Sequence, residues 1–196
     1  MQKYNLLPVV RRKKFKYVSE YLHKYPNLLN REFNAERPNQ KWVTDISYIP
    51  TKEGMCYLSV IRDLYDNSIV AYQMSKDMTV KLVLDTIKKA MKKENVTAEL
   101  QLHSDQGSQY VSHDYFVTTQ SYGITPSMSR RGNPYDNALA KNFFSILKTE
   151  CIHRVKLSGY DEARLLISEY ISFYNNYRIQ TKTKLTPLEK RNQFVA

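Results

Sequence analysis

Cysteine is almost missing from this sequence: Cys56 and Cys151 are the only two in 196 residues. They do not have metal-ligand spacing, and they read as buried or half-buried thiols of a protein kept in a reducing cytosol. A cytoplasmic location is therefore expected. No apolar run approaches the roughly 20 residues that cross a bilayer, so no membrane association is expected. The opening Met1-Gln2-Lys3-Tyr4-Asn5 lacks an apolar stretch behind a basic start, and no secretory signal is read there. Internal repeats and low-complexity tracts are missing too.

Positive charge is abundant but unevenly spread. The chain carries 30 Lys and Arg against 19 Asp and Glu, a net of +11. Residues 1–40 hold nine basic and three acidic side chains, residues 41–140 eleven of each, and residues 141–196 ten and five. A neutral centre between two basic flanks suits a site held on a polyanion by its surroundings, because phosphate contacts need clustered cations. A nucleic acid is the expected partner, the alternative being a merely soluble basic surface. With 42% apolar residues the chain can also bury a proper core.

Three segments are expected: a basic arm or linker over 1–40, a core over 41–178 and a basic tail over 179–196. In the arm, Arg11-Arg12-Lys13-Lys14 with Phe15 and Lys16 is a run able to lie along a phosphate backbone, or simply a solvated tail. Pro38-Asn39 marks a break. Trp42 to Pro50 is rich in β-branched and aromatic residues and predicts a strand buried on both faces. Turns at Glu53-Gly54 and Asp66-Asn67 set Met55–Leu64 and Ser68–Met74 as its antiparallel neighbours.

The period then changes. Val80, Val83, Leu84, Ile87 and Met91 share one face of a helix over 79–93, with Thr79 as N-cap. A strand over 99–103, a short helix over 114–122 ended by Gly123, and a strand over 124–128 follow. Two further helices are expected, over about 137–149 and 159–177. The second carries Tyr160, Ala163, Ile167, Tyr170, Tyr174 and Tyr177 on one stripe. Hairpins first and crossover helices later predict an α/β fold, a mixed five-stranded sheet with helices on both faces.

Two carboxylates stand out. Asp45 lies inside an apolar strand, where a charge is costly unless a cation or donor meets it. Asp105 follows the end of another strand, where α/β sheets gather their ligand sites. Together they could hold hard divalent ions, which take oxygen ligands and serve phosphoryl displacement. Asp105 in Asp105-Gln106-Gly107 is also good turn chemistry. His103 reads either as a group ordering a metal-bound water or as an ordinary strand-end histidine. Asp136 and Asn137 read as helix caps, Asp63 and Asp66 as turn acids, and His153 as surface.

These residues fall in motifs that resemble a known family. Trp42-Val43-Thr44-Asp45-Ile46, His103-Ser104-Asp105-Gln106-Gly107-Ser108-Gln109-Tyr110 and Arg131-Gly132-Asn133-Pro134-Tyr135-Asp136-Asn137-Ala138 are similar to the second-reading-frame transposases of the insertion-sequence-three family. Tyr174-Asn175-Asn176-Tyr177-Arg178 and Leu185-Thr186-Pro187-Leu188-Glu189 also match. The resemblance covers essentially the whole chain. It implies a ribonuclease-H-like core related to retroviral integrases. It further implies a metal triad of Asp, Asp and Glu holding two Mg²⁺ or Mn²⁺ ions, DNA cleavage and strand transfer, and a homo-oligomer on DNA. The zinc module found at the start of retroviral integrases has no counterpart here, and a helix-turn-helix module is expected upstream in full-length relatives.

The family's Glu stands 35 residues after its second Asp. Counted from Asp105, that place is held by Lys141. The family's basic residue seven positions later is supplied by Lys148. Residues 141, 145 and 148 share a helix face, while Leu139, Phe143 and Ile146 lie on another, expected to face the core. Lys141 thus points at the metal site from the first helical turn, where the helix dipole favours an acid. Two unit charges about 4 Å apart interact by about 4 kcal/mol at an effective dielectric of about 20, so an ammonium there repels a metal ion and pairs with Asp45 or Asp105 instead. Three explanations stand: a decayed copy, a deliberate inactivating change, or a helix register in which another acid such as Glu150 serves. Glu150 lies half a turn out of phase. Arg130, Arg131 and Lys148 are candidate phosphate contacts beside the site. The resulting expectation is an impaired transposase core. Its rivals are an inactive DNA-binding remnant and a ribonuclease-H-like nuclease.

Overall fold

The structure is a computed structural model that describes residues 22–96 and 99–194; Arg11, Arg12, Lys13 and Lys14 lie outside the described residues. β1 (Lys41–Thr51) and β2 (Gly54–Asp63) form an antiparallel hairpin registered from Trp42 opposite Asp63 to Thr51 opposite Gly54. The reversal is tight because Gly54 adopts φ +134°, open only to a residue without Cβ. β3 (Ile69–Ser75) returns along β2 after a turn in which Asn67 takes φ +68°, a left-handed conformation asparagine tolerates.

α1 (Val80–Lys93) then crosses the sheet, and β4 (Leu100–Ser104) enters parallel to β1. α2 (His113–Ser121) makes a second crossover to β5 (Ile124–Met128), parallel to β4. The sheet order is β3-β2-β1-β4-β5, the mixed five-stranded sheet predicted above. α3 (Ala138–Glu150) and α4 (Tyr160–Asn176) pack on the other face.

Two apolar cores follow from the alternation of strand side chains. Trp42, Ile61, Val83, Ile87, Leu102 and Tyr115 fill the side under α1 and α2. Leu58, Val60, Phe143, Leu147, Ile167 and Tyr174 fill the side under α3 and α4. The central β1 is buried on both faces only over Trp42–Asp45; beyond it Tyr48 and Pro50 are exposed. The cause is register: β4 pairs with β1 no further than Val43, so the far half of β1 has an open edge.

Local details differ from expectation. Thr79 is the N-cap of α1, but its side chain accepts no capping hydrogen bond. On α3 the buried stripe is Ala140, Phe143, Phe144 and Leu147, with Leu139 and Ile146 at its margins. Tyr177 ends the α4 stripe exposed. The tail contains a further helix, α5 (Pro187–Asn192), opened by a capping box between Thr186 and Glu189. Its Arg191 reaches Asp63 at 3.1 Å, Asp66 at 2.7 Å and Glu94 at 2.5 Å. Asp63 and Asp66 do accept turn hydrogen bonds, from Tyr65 N–H and Ser68 N–H, and additionally anchor α5. Among the described residues no helix is long and apolar enough to cross a membrane.

Candidate active site

Asp45 leaves the centre of β1 where the strand's second face becomes open, and Asp105 follows the end of the neighbouring parallel β4. Each carboxylate spends an oxygen on nearby backbone. Asp45 accepts from Ile46 N–H at 2.8 Å, and Asp105 from Gly107 N–H at 2.8 Å. Glycine gives the second bond room, since a Cβ at 107 would stand 3.0 Å from the Asp105 oxygen. Burial, and then the negative charge of Asp105, push the Asp45 carboxyl up to about 6, against the Ile46 N–H and the Lys141 ammonium. The charge of Lys141 thus reaches Asp45, but among the described residues it forms no ion pair with Asp45 or Asp105, contrary to the pairing expected from the sequence.

Lys141 is exposed and borders two clefts at once. The first, of about 430 Å³, is lined by Asp105, Gln106, Gly107, Ser129, residues 130–133 and Lys141. The second, of about 450 Å³, runs from Asp45 and Tyr48 past Lys141, Ser145 and Lys148 to His153. Residues 141, 145 and 148 thus present one helix face to a cleft, as their spacing predicts. The start of α3 is held in place on two sides. Asn137 Nδ2 donates to Thr44 O at 3.1 Å, one residue from Asp45, and Arg62 Nη1 donates to Leu139 O at 2.5 Å. Asn137 sits at the N-cap, but its side chain caps nothing; a backbone carbonyl of the central strand takes its amide instead.

Asp136 corrects a second cap assignment. Its carboxylate is fully buried and accepts from Asn27 Nδ2 (3.0 Å), Arg31 Nε (3.0 Å) and the Arg130 backbone N–H, Nε and Nη2 (3.0, 3.0 and 3.1 Å). The Arg130 side chain, followed by its backbone N–H and Arg31, holds this carboxyl well below the usual range against the cost of burial. Arg130 and Arg131 both line the first cleft and are exposed, Arg130 with its guanidinium already paired to Asp136. Arg130 is only six residues from Asp136 and was the local signal for this pairing; Arg31 and Asn27, 105 and 109 residues away, lay beyond local reading.

His103 is wholly buried, with Nδ1 2.8 Å from Ser127 Oγ and Nε2 3.0 Å from Ser129 Oγ. Burial lowers its pKa to about 4. Both ring nitrogens are engaged by serines of the adjoining β5 segment, so it orders no metal-bound water. Glu150 is bound by Arg178 at 2.7 Å and by the Tyr170 hydroxyl at 2.6 Å, and lines neither cleft. His153 is exposed, as read.

Metal donors were expected at Asp45 and Asp105. Among the described residues no group of three or more His, Cys, Asp or Glu side chains is placed to hold a metal ion. Two carboxylates beside the Lys141 ammonium are all the acids that these clefts offer, and that donor set does not fit a two-ion centre.

Two segments of the chain, residues 35–134 and 141–195, match the integrase core domain family. The chain belongs to the integrase core family. Its relatives include the InsK protein of insertion element IS150 of Escherichia coli K12, 42% identical over 86% of this chain and 60% of that protein. The transposase of insertion element IS904 of Lactococcus lactis is 44% identical over 80% of this chain and 62% of its own length. The chain thus spans about 60% of the curated relatives named here. A chain of the simian T-cell lymphotropic virus intasome, solved with a PP2A regulatory subunit, superposes with a TM-score of 0.72 at 20% identity over 82% of this chain and 56% of that one. The HTLV-2 integrase catalytic core, solved with magnesium, gives 0.64 at 17% identity over 80% of this chain and 99% of that one. The fold of this integrase core is therefore ribonuclease-H-like, as the motifs implied.

Proposed function

We propose that this chain is the DNA-handling core of an insertion-sequence transposase and that Lys141 leaves it unable, or nearly unable, to cut DNA. The observation that carries this reading is the position of Lys141. It borders both the Asp105 cleft and the Asp45 cleft and lowers the Asp45 pKa through its charge. In the family the third acid belongs at this place, on a first helical turn that favours negative charge. An ammonium there supplies no oxygen ligand and opposes the Mg²⁺ or Mn²⁺ that the family's cleavage and strand transfer require.

DNA binding does not need the triad. Arg131, Lys141 and Lys148 line the two clefts with cations, and the basic excess of both flanks adds sequence-independent attraction to phosphate. The chain accordingly binds element ends and target DNA as part of a cytoplasmic homo-oligomer. Asp45 and Asp105 are its two remaining catalytic acids, and the paired Arg130 orders the loop beside them. A reading as a nuclease for other nucleic acids has no observation of its own in its favour.

The test is strand cleavage of labelled linear DNA carrying the element's ends, in Mn²⁺, by this chain and by Lys141→Glu, both with the upstream DNA-binding module supplied. Activity confined to the Glu variant is expected. Equal activity of the unaltered chain overturns the assignment of position 141, and inactivity of both overturns the transposase reading of Asp45 and Asp105.

A further inference from the structure

The two clefts at the acids are part of a longer groove. They meet at Lys141, and the second meets a third at His153. This third groove, of about 310 Å³, runs between the turn after β1 and the segment leading into α4, and Lys52 and Lys156 line it from opposite sides. Its walls are fixed to each other by backbone hydrogen bonds from Lys52 N–H to Leu157 O (3.0 Å) and from Glu53 N–H to Ser158 O (3.2 Å). Lys52, His153 and Lys156 are all exposed, and no acid lines the groove. Three acids stand near it: Glu53, exposed beside Lys52 with its carboxylate against Gly159; Asp161, 3.9 Å from Arg164; and Glu162, engaged by the Ser158 N–H at 2.6 Å and by its hydroxyl.

We infer that this third groove is a DNA-backbone subsite, in which Lys52 and Lys156 grip phosphates of the same strand that passes the acids. The inference rests on the proposed DNA-binding function and adds where the strand goes. Residues 141 to 150 rise about 14 Å along α3, the span of about four nucleotides of one strand. Lys52 and Lys156, in the groove that adjoins the second cleft at His153, then meet the backbone away from the reacting nucleotide, past Lys148. Val155 and Leu157 give the groove an apolar floor that suits the sugar face of a strand. With no donor pattern for base edges, the grip is independent of sequence.

The experiment is fluorescence anisotropy of a labelled duplex, titrated with salt, for the unaltered chain, for Lys52→Ala/Lys156→Ala, and for Lys88→Ala/Lys92→Ala. The last pair removes the same charge from exposed positions of α1, on the opposite face of the sheet. The groove variant is expected to lose about two units of the log–log salt slope and about ten-fold in affinity at low salt, with the α1 variant unchanged. Equal losses in both variants, or no loss in the groove variant, overturn the subsite while leaving DNA binding intact. Salt-insensitive or absent binding by the unaltered chain overturns the DNA-binding function and the subsite together.

Discussion

Replacing Arg191 with methionine should destabilise the whole domain, and do so in a pH-dependent way. The Arg191 guanidinium is only 14% exposed and contacts three carboxylates, two of which, Asp63 and Asp66, are completely buried. It also donates to Asn39 Oδ1 at 2.7 Å. Removing one partner of a buried ion pair costs about 3–5 kcal/mol, mostly because the remaining charge is stranded. In a chain of this length each kcal/mol moves the melting temperature by about 2–4 °C, so a fall of about 6–20 °C is expected. Burial, then the charge of Asp66, already push Asp63 up to about 6 despite its N–H donors and Arg191. A carboxyl whose folded pKa is raised takes up a proton on folding. Its cost to stability is fully present above pH 6 and shrinks as pH falls toward the unfolded value of about 3.9. Without Arg191 the Asp63 pKa climbs further, so the variant's deficit should be largest near about pH 8 and narrower near about pH 5. Thermal melts of both chains at the two pH values decide it. A deficit below about 1 kcal/mol, or one as large in acid as in base, refutes the reasoning.

His103 should make the opposite contribution. Its folded pKa of about 4 lies below the unfolded value of about 6.5, so its contribution is whole above about 6.5 and is lost as pH falls toward 4. His103→Gln should flatten that part of a stability–pH profile measured by urea melts. Asn137→Ala removes the amide that holds α3 to Thr44 and should cost about 1 kcal/mol. In a Lys141→Glu background it should also lower the cleavage rate more than DNA affinity, read by single-turnover assays. Phe143→Ala empties the packing between α3 and Tyr174, whose rings stand 5.0 Å apart edge to face, and should cost about 3–5 kcal/mol in chemical denaturation.

Elements whose signal is local were legible in the sequence. The β1–β3 meander followed from β-branched runs and two turns, and α1 from a single apolar stripe. Asp45 and Asp105 stood out as a buried acid and a strand-end acid, both readable along one chain, whereas Lys141 was singled out only by the spacing that the family resemblance implies. Features built from distant partners were not. Asp136 was taken for a cap because its neighbourhood resembles a helix start, and only folding brings Arg31 and Asn27 against it. Asp63 and Asp66 look complete as turn acids, and nothing near them points to Arg191. The six-residue α5 is too short to show periodicity, although its Thr186–Glu189 capping box was there to be read. On α3 the buried stripe sits one position from that expected, because Phe144 packs inward with Phe143 in the same core.

The contact between Arg191 and Asn39 has a mechanical consequence. The segment that leads into β1 and the helix that follows the core meet at one knot, tied to the β2 end and to the α1 terminus. The chain on the N-terminal side is tied earlier as well, by Asn27 and Arg31 to Asp136, so the flank is fastened at two places before the strand carrying Asp45 begins. Loss of Arg191 would therefore loosen the entry to β1 and the exit of the chain together, since one guanidinium fastens both.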